Sequence, residues 1–118
     1  SVSAFLLNRL PILASMRFMQ NTFDWILAPK EIKVYASNDG KDWHLVADQH
    51  FGMDPRETGM RLKQYSIDLM EYAMGKIVLG YPLTRFLRVV VPNPGPLPDW
   101  HPAPGQPSYL FTDEIVIE

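Results

Sequence analysis

Apolar and polar residues alternate in short runs along much of this chain. Glu31-Ile-Lys-Val-Tyr-Ala-Ser37 puts Ile32, Val34 and Ala36 on one face and Lys33 and Tyr35 on the other. That period of two marks a half-buried strand. Asn38-Asp39-Gly40-Lys41 follows, and Asp-Gly tolerates the positive φ of a tight hairpin turn. Trp43, Leu45 and Ala47 are then expected to share one face of the returning strand. Ser15 to Gln20, Arg61 to Ile67, and Phe111 with Ile115, Val116 and Ile117 supply three further strand candidates. Thr84 to Val91 is the strongest, since Phe86, Leu87, Val89, Val90 and Val91 predict burial on both faces at its centre. Ser66 to Met74 stays open between strand and helix, because Ile67, Met70 and Met74 also fit a helical stripe. Short strands, frequent turn signals and no long amphipathic helix predict an all-β sandwich.

Seven of the 11 prolines fall between Pro92 and Pro107. Each fixes φ and lacks an N–H, so the segment must be a stiff loop rather than a helix or an interior strand. Only 11 residues follow it, so it is not a linker to a second domain. The 118 residues make one domain, with 11 Lys+Arg against 13 Asp+Glu. Near-neutral charge excludes a nucleic-acid binder held by a dense basic surface. With no cysteine there is no disulfide, thiolate-zinc or thiol-nucleophile chemistry. No apolar run approaches the roughly 20 residues of a membrane span. Ser1 to Ala14 has no basic leader and is a poor signal peptide, and the absent initiator Met suggests a processed or excised fragment.

Catalytic constellations are sparse. His44, His50 and His101 show no i, i+4 pair, and no Gly-x-Ser-x-Gly elbow or Gly-rich phosphate loop occurs. Asp113 and Glu114 are adjacent, so on a regular strand they point to opposite faces and do not form a glycosidase pair. Arg85 and Arg88 can reach a ligand from the strong strand, but such arginines more often pair or pack their stems on an aromatic. The proline-rich loop carries Asp99, Trp100 and His101, with Tyr109 just beyond. Aromatic faces in a stiff loop suit the C–H face of a sugar ring, and Asp99 and His101 offer partners for its hydroxyls. The competing reading has Trp100 folding inward as a plug and His101 capping loop carbonyls.

Two stretches carry a resemblance. Trp25-Ile-Leu-Ala-Pro-Lys-Glu-Ile-Lys-Val-Tyr-Ala-Ser-Asn-Asp-Gly-Lys-Asp-Trp43 resembles the hairpin of the coagulation-factor type C (discoidin-like) module. Thr84-Arg-Phe-Leu-Arg-Val-Val-Val, Pro98-Asp-Trp-His-Pro-Ala-Pro-Gly and Tyr109-Leu-Phe-Thr-Asp-Glu-Ile-Val-Ile117 resemble the C-terminal module of bacterial family 20 β-hexosaminidases, or chitobiases. The resemblance spans about residues 15–118. It implies a galactose-binding-like jelly roll of two antiparallel sheets in one domain, without catalytic residues. Asp99, Trp100, His101 and Tyr109 fall in or beside its distinctive loop and become the expected carbohydrate-binding residues. Glu114 matches a terminal Glu that often lies near calcium, the one candidate cofactor, although a single carboxylate is far short of six to eight oxygens. Complete modules open with an Asp-, Gly- and Thr-rich loop and an Ile-Asp-Leu-Gly strand, which residues 1–14 do not match, so the sandwich is expected to lack its first strands and to expose a sheet edge.

The expected function is that of an accessory module of a secreted or periplasmic glycoside hydrolase, binding glycan weakly through the aromatic-His loop. Its partners would be carbohydrate and the parent enzyme's catalytic domain. The alternative is a purely structural module against that catalytic domain, with no ligand of its own.

Overall fold

The computed structural model describes residues 1–54 and 57–118. Among these, seven strands form two sheets. The strands are β1 (Val2–Arg9), β2 (Leu13–Asn21), β3 (Glu31–Ser37), β4 (His44–His50), β5 (Met60–Asp68), β6 (Thr84–Val90) and β7 (Phe111–Ile117). One sheet has the order β1-β6-β3-β4 and the other β5-β2-β7, with every pairing antiparallel. The architecture is a β-sandwich. One short helix, α1 (Met70–Val78), connects β5 to β6, and no described helix is long and apolar enough to cross a membrane.

The core lies where the inner faces of the sheets meet. Ala14, Met16, Phe18 and Ile67 come from one sheet and Ile32, Val34, Ala36, Leu87 and Val89 from the other, all buried. The alternation predicted for β3 is therefore the observed one. β6 is paired on both sides, and its outward Phe86, Arg88 and Val90 are half-buried. Arg88 stacks 4.0 Å over the Trp43 ring, which itself meets Phe86 edge-on. This is the stem-on-aromatic role that a strand arginine commonly takes.

Two local expectations need correction, and one open segment is settled. Residues 1–14 are not outside the sandwich: they supply β1 and the start of β2, and β1 pairs along β6 from Val2↔Val90 to Arg9↔Thr84. Leu45 and Ala47 do not share a face. Ala47 pairs with Val34 and Leu45 with Tyr35, so Val46 is an extra residue, a bulge that reverses the alternation. The open segment at Ser66 to Met74 divides: β5 runs to Asp68, whose Oδ1 accepts the Met70 N–H at 2.9 Å, and α1 starts there.

The register places the connections at two opposite ends. Ser37 pairs with Phe86, Thr84 with Arg9, and Leu13 with Asp68, so the β3–β4 turn and α1 gather at one end. Asn21 pairs with Met60 and Lys33 with Val90, which puts the proline-rich loop at the other. The body is 53 Å long and 23 × 20 Å across.

The β3–β4 turn is closed by polar side chains. Asp39 Oδ1 accepts the Lys41 and Asp42 N–H groups at 2.8 Å each and the Ser37 hydroxyl at 3.0 Å. Ser37 Oγ accepts the Gly40 N–H at 2.9 Å, with Gly40 at φ +75°. The Asp42 N–H, then the Lys41 N–H and the Ser37 hydroxyl, hold the Asp39 carboxyl below its ordinary value of 3.8. A depressed folded pKa contributes stability above the unfolded value, and the contribution is lost as pH falls through the folded value. Asp39→Asn should therefore flatten the acid limb of the stability–pH profile below about 3.8, read by denaturant unfolding across that range. In the core, Phe18 is fully buried and meets Tyr65 edge-on at 5.8 Å. Phe18→Ala should lower the unfolding free energy by about 3–5 kcal/mol.

Candidate functional site

The proline-rich segment folds back on itself as a short ribbon. Leu97 N–H donates to Gln106 O at 2.8 Å, Gly105 N–H donates to Leu97 O at 2.9 Å, and Pro96 bridges Pro107. Asn93 ties the base, giving Nδ2–H to Ser108 O at 2.9 Å and taking the Gly95 N–H at 2.8 Å. Pro94 and Leu97 are buried and anchor the ribbon to the sandwich. Asp99 and Trp100 form the tip of a turn closed by His101 N–H on Pro98 O at 3.0 Å.

His101 is only 4% exposed. Its Nδ1 accepts the Ala103 N–H at 2.9 Å, so its proton sits on Nε2 and is donated to Thr22 O at 2.6 Å. Both ring nitrogens are thereby engaged within the chain. The expectation that His101 meets a ligand directly needs correction: it is a strut that pins the loop to the 3₁₀ turn Thr22–Asp24. It caps a loop carbonyl, as the competing reading required, but Trp100 does not fold inward. Trp100 is 42% exposed, its ring 6.3 Å from that of His101.

Tyr109 is positioned by the same short segment. Its N–H donates to Trp25 O at 2.8 Å and its carbonyl accepts the Leu27 N–H at 3.0 Å, while its side chain stays 57% exposed. Trp25 takes a left-handed φ of 65°, and its N–H donates to Thr22 O. Residues 22–27 are thus a common seat for the Trp100 turn and for Tyr109. Exposed Phe23 and half-buried Trp25 belong to that seat as well, and alternation did not single them out. Asp99 is exposed and joins no ion pair among the described residues, so its carboxylate is open to a hydroxyl donor. The arrangement offers flat apolar faces beside one carboxylate, without an activated nucleophile.

The adjacent acids of β7 do not behave as regular strand residues. Thr112 pairs with Phe18 and Ile115 with Met16, so β7 carries one extra residue and both Asp113 and Glu114 fall on the solvent side. Asp113 is ion-paired with Arg17. Glu114 shares a shallow depression with Ser15, Arg17 and Gln64. That donor set does not fit calcium, since a guanidinium replaces the ring of oxygens a dication needs. Glu31, Asp48 and His50 do converge on the β3–β4 face, with His50 Nε2 3.1 Å from Glu31 Oε2 and 3.5 Å from Asp48 Oδ1. Lys33 Nζ stands 3.9 Å from the same Glu31 oxygen and supplies charge there already.

Comparison with protein-family models and with curated proteins finds no match to this chain.

His101→Ala should cost about 2–4 kcal/mol of stability, because the Thr22 carbonyl and the Ala103 N–H both lose a buried partner. Urea unfolding measures the loss, and a variant as stable as the wild type would exclude the strut.

Proposed function

We propose that this chain is a non-catalytic accessory module, of discoidin-like jelly-roll type, of a secreted or periplasmic glycoside hydrolase of the hexosaminidase or chitobiase kind. In this reading it binds glycan weakly at the proline-rich end. Trp100 and Tyr109 stack on the sugar's C–H face, Asp99 accepts from a hydroxyl, and His101 acts only by holding the loop in place. The observation that carries the reading is the exposure of Trp100 and Tyr109 on backbone fixed to residues 22–27. Rings held this way lose little entropy on binding. One or two rings on an open platform suit millimolar affinity, roughly −4 kcal/mol.

A second reading has its own observation. The apolar side of α1 stands uncovered, with Met70, Met74, Ile77 and Val78 all exposed, and Leu79 beyond it. A module that docks on its parent's catalytic domain would cover such a patch. In that case Ile77→Lys abolishes association with the catalytic domain and leaves sugar titrations unchanged.

The glycan reading is tested by NMR titration with simple hexoses at millimolar concentration. Side-chain signals of Trp100 and Tyr109 should move together with one dissociation constant. Silence of both with every hexose tried would defeat the reading. Trp100→Ala should abolish those shifts at a stability cost well under the ~3–5 kcal/mol of a buried tryptophan. A loss of that full size in a thermal melt would return Trp100 to the role of plug.

A further inference from the structure

The end of the sandwich opposite Trp100 holds a cleft of about 380 Å³ whose two walls carry opposite charge. One wall is the β3–β4 turn, with Asp39 and Asp42 and then His44. The other is Tyr72 and Lys76 on α1, with Tyr81 beyond it. Each wall is built by bonds that a ligand does not have to supply. The turn is closed by the hydrogen bonds to Asp39 and Ser37 described above. On the helix, the Tyr72 hydroxyl lies 2.6 Å from Thr84 Oγ1, which fixes the ring. Gly80, at φ +83°, turns the chain back so that the Tyr81 N–H donates to Lys76 O at 2.9 Å. Lys76 Nζ then sits 4.6 Å from the Tyr81 ring centroid and 5.8 Å from that of Tyr72.

Lys76 and the two carboxylates line one cavity without closing on each other. No carboxylate lies within ion-pair distance of Lys76 among the described residues. This decides the kind of ligand that fits. A small anion drawn to Lys76 meets Asp39 and Asp42, and a small cation drawn to the carboxylates meets Lys76. A hydroxyl both donates and accepts, so a neutral polyol satisfies a donor-only ammonium and acceptor-only carboxylates at once. The Tyr81 side chain, 49% exposed, adds an aromatic surface for ring C–H groups.

We infer that this cleft is a second saccharide site, taking a neutral hexose-type ring whose hydroxyls bridge Lys76 to Asp42. It rests on the glycan-binding reading for its ligand class only, and its residues are separate from those of the aromatic loop. A module with a site at each end of a 53 Å body can hold two points of a glycan surface, which raises avidity without stronger contacts at either.

The test is a titration of the chain with galactose, glucose and N-acetylglucosamine, followed by amide and aromatic NMR. The Gly40, Asp42, His44 and Lys76 amides and the Tyr81 ring should move with at least one of the three and approach saturation at millimolar concentration. Asp42→Asn and Lys76→Met should each weaken that binding by about tenfold, the worth of a hydrogen bond to a charged group. Should Lys76→Met fail to fold, Tyr81→Ala, beyond the helix, carries the same expectation. Cleft signals that stay still with all three sugars overturn the inference. So do variants that titrate like the wild type, and so do shifts produced by sodium acetate or methylammonium chloride rather than by sugar. Movement in the cleft with a silent Trp100 and Tyr109 supports this site and removes the one on the loop. The reverse pattern removes the cleft and leaves the loop.

Discussion

β2 and β6 are the strands around which this molecule is organised. Each lies inside its own sheet, hydrogen-bonded on both sides, and each sends its inward residues across the gap: Met16 and Phe18 from one, Leu87 and Val89 from the other. Burying such a side chain contributes roughly 1.5–3 kcal/mol, and β3 adds Ile32 and Val34 to the same layer. Because the register of these strands is set by that burial, the ends of the sandwich are set with it. A one-residue slip would turn every one of these side chains to solvent.

Given that frame, the two ends are stiffened by different means. At one, proline restricts the backbone covalently and His101 ties the loop to Thr22, so that flanking aromatic rings stay exposed on a fixed base. At the other, a single carboxylate oxygen of Asp39 gathers three donors and fixes the hairpin, while the Tyr72–Thr84 contact holds the helix. In both cases a residue type usually suspected of binding is spent inside the chain. What each end has left to offer a ligand is the neighbouring group: Trp100 and Asp99 beside His101, and Asp42 and Lys76 beside Asp39 and Tyr72.

The places where alternation misleads share one cause. Leu45 and Ala47 look like one face, and Asp113 and Glu114 look like opposite faces, as any regular strand requires. In each pair of strands one partner carries an extra residue, which lies opposite nothing and shifts the parity. β1 is hidden for another reason. Leu6 and Leu7 are neighbours, so outward Leu6 and inward Leu7 blur the period of two that marks a strand. Its partner β6 is more than 70 residues away, as in Leu6↔Phe86.

Order within a few residues was readable from the chain alone. The inner faces of β3 and β6, the tight Asp-Gly turn and the stiff proline backbone of residues 92–107 all follow from side chains and dihedral limits of near neighbours. So did the absence of thiol chemistry and the candidacy of the aromatic loop. The roles of particular groups waited on the folded state, since they depend on partners distant in the chain. His101 became a strut when folding brought it to Thr22, 79 positions away, while Trp100 stayed exposed. The charged cleft exists only where α1 meets the β3–β4 turn, across a separation that no local pattern encodes.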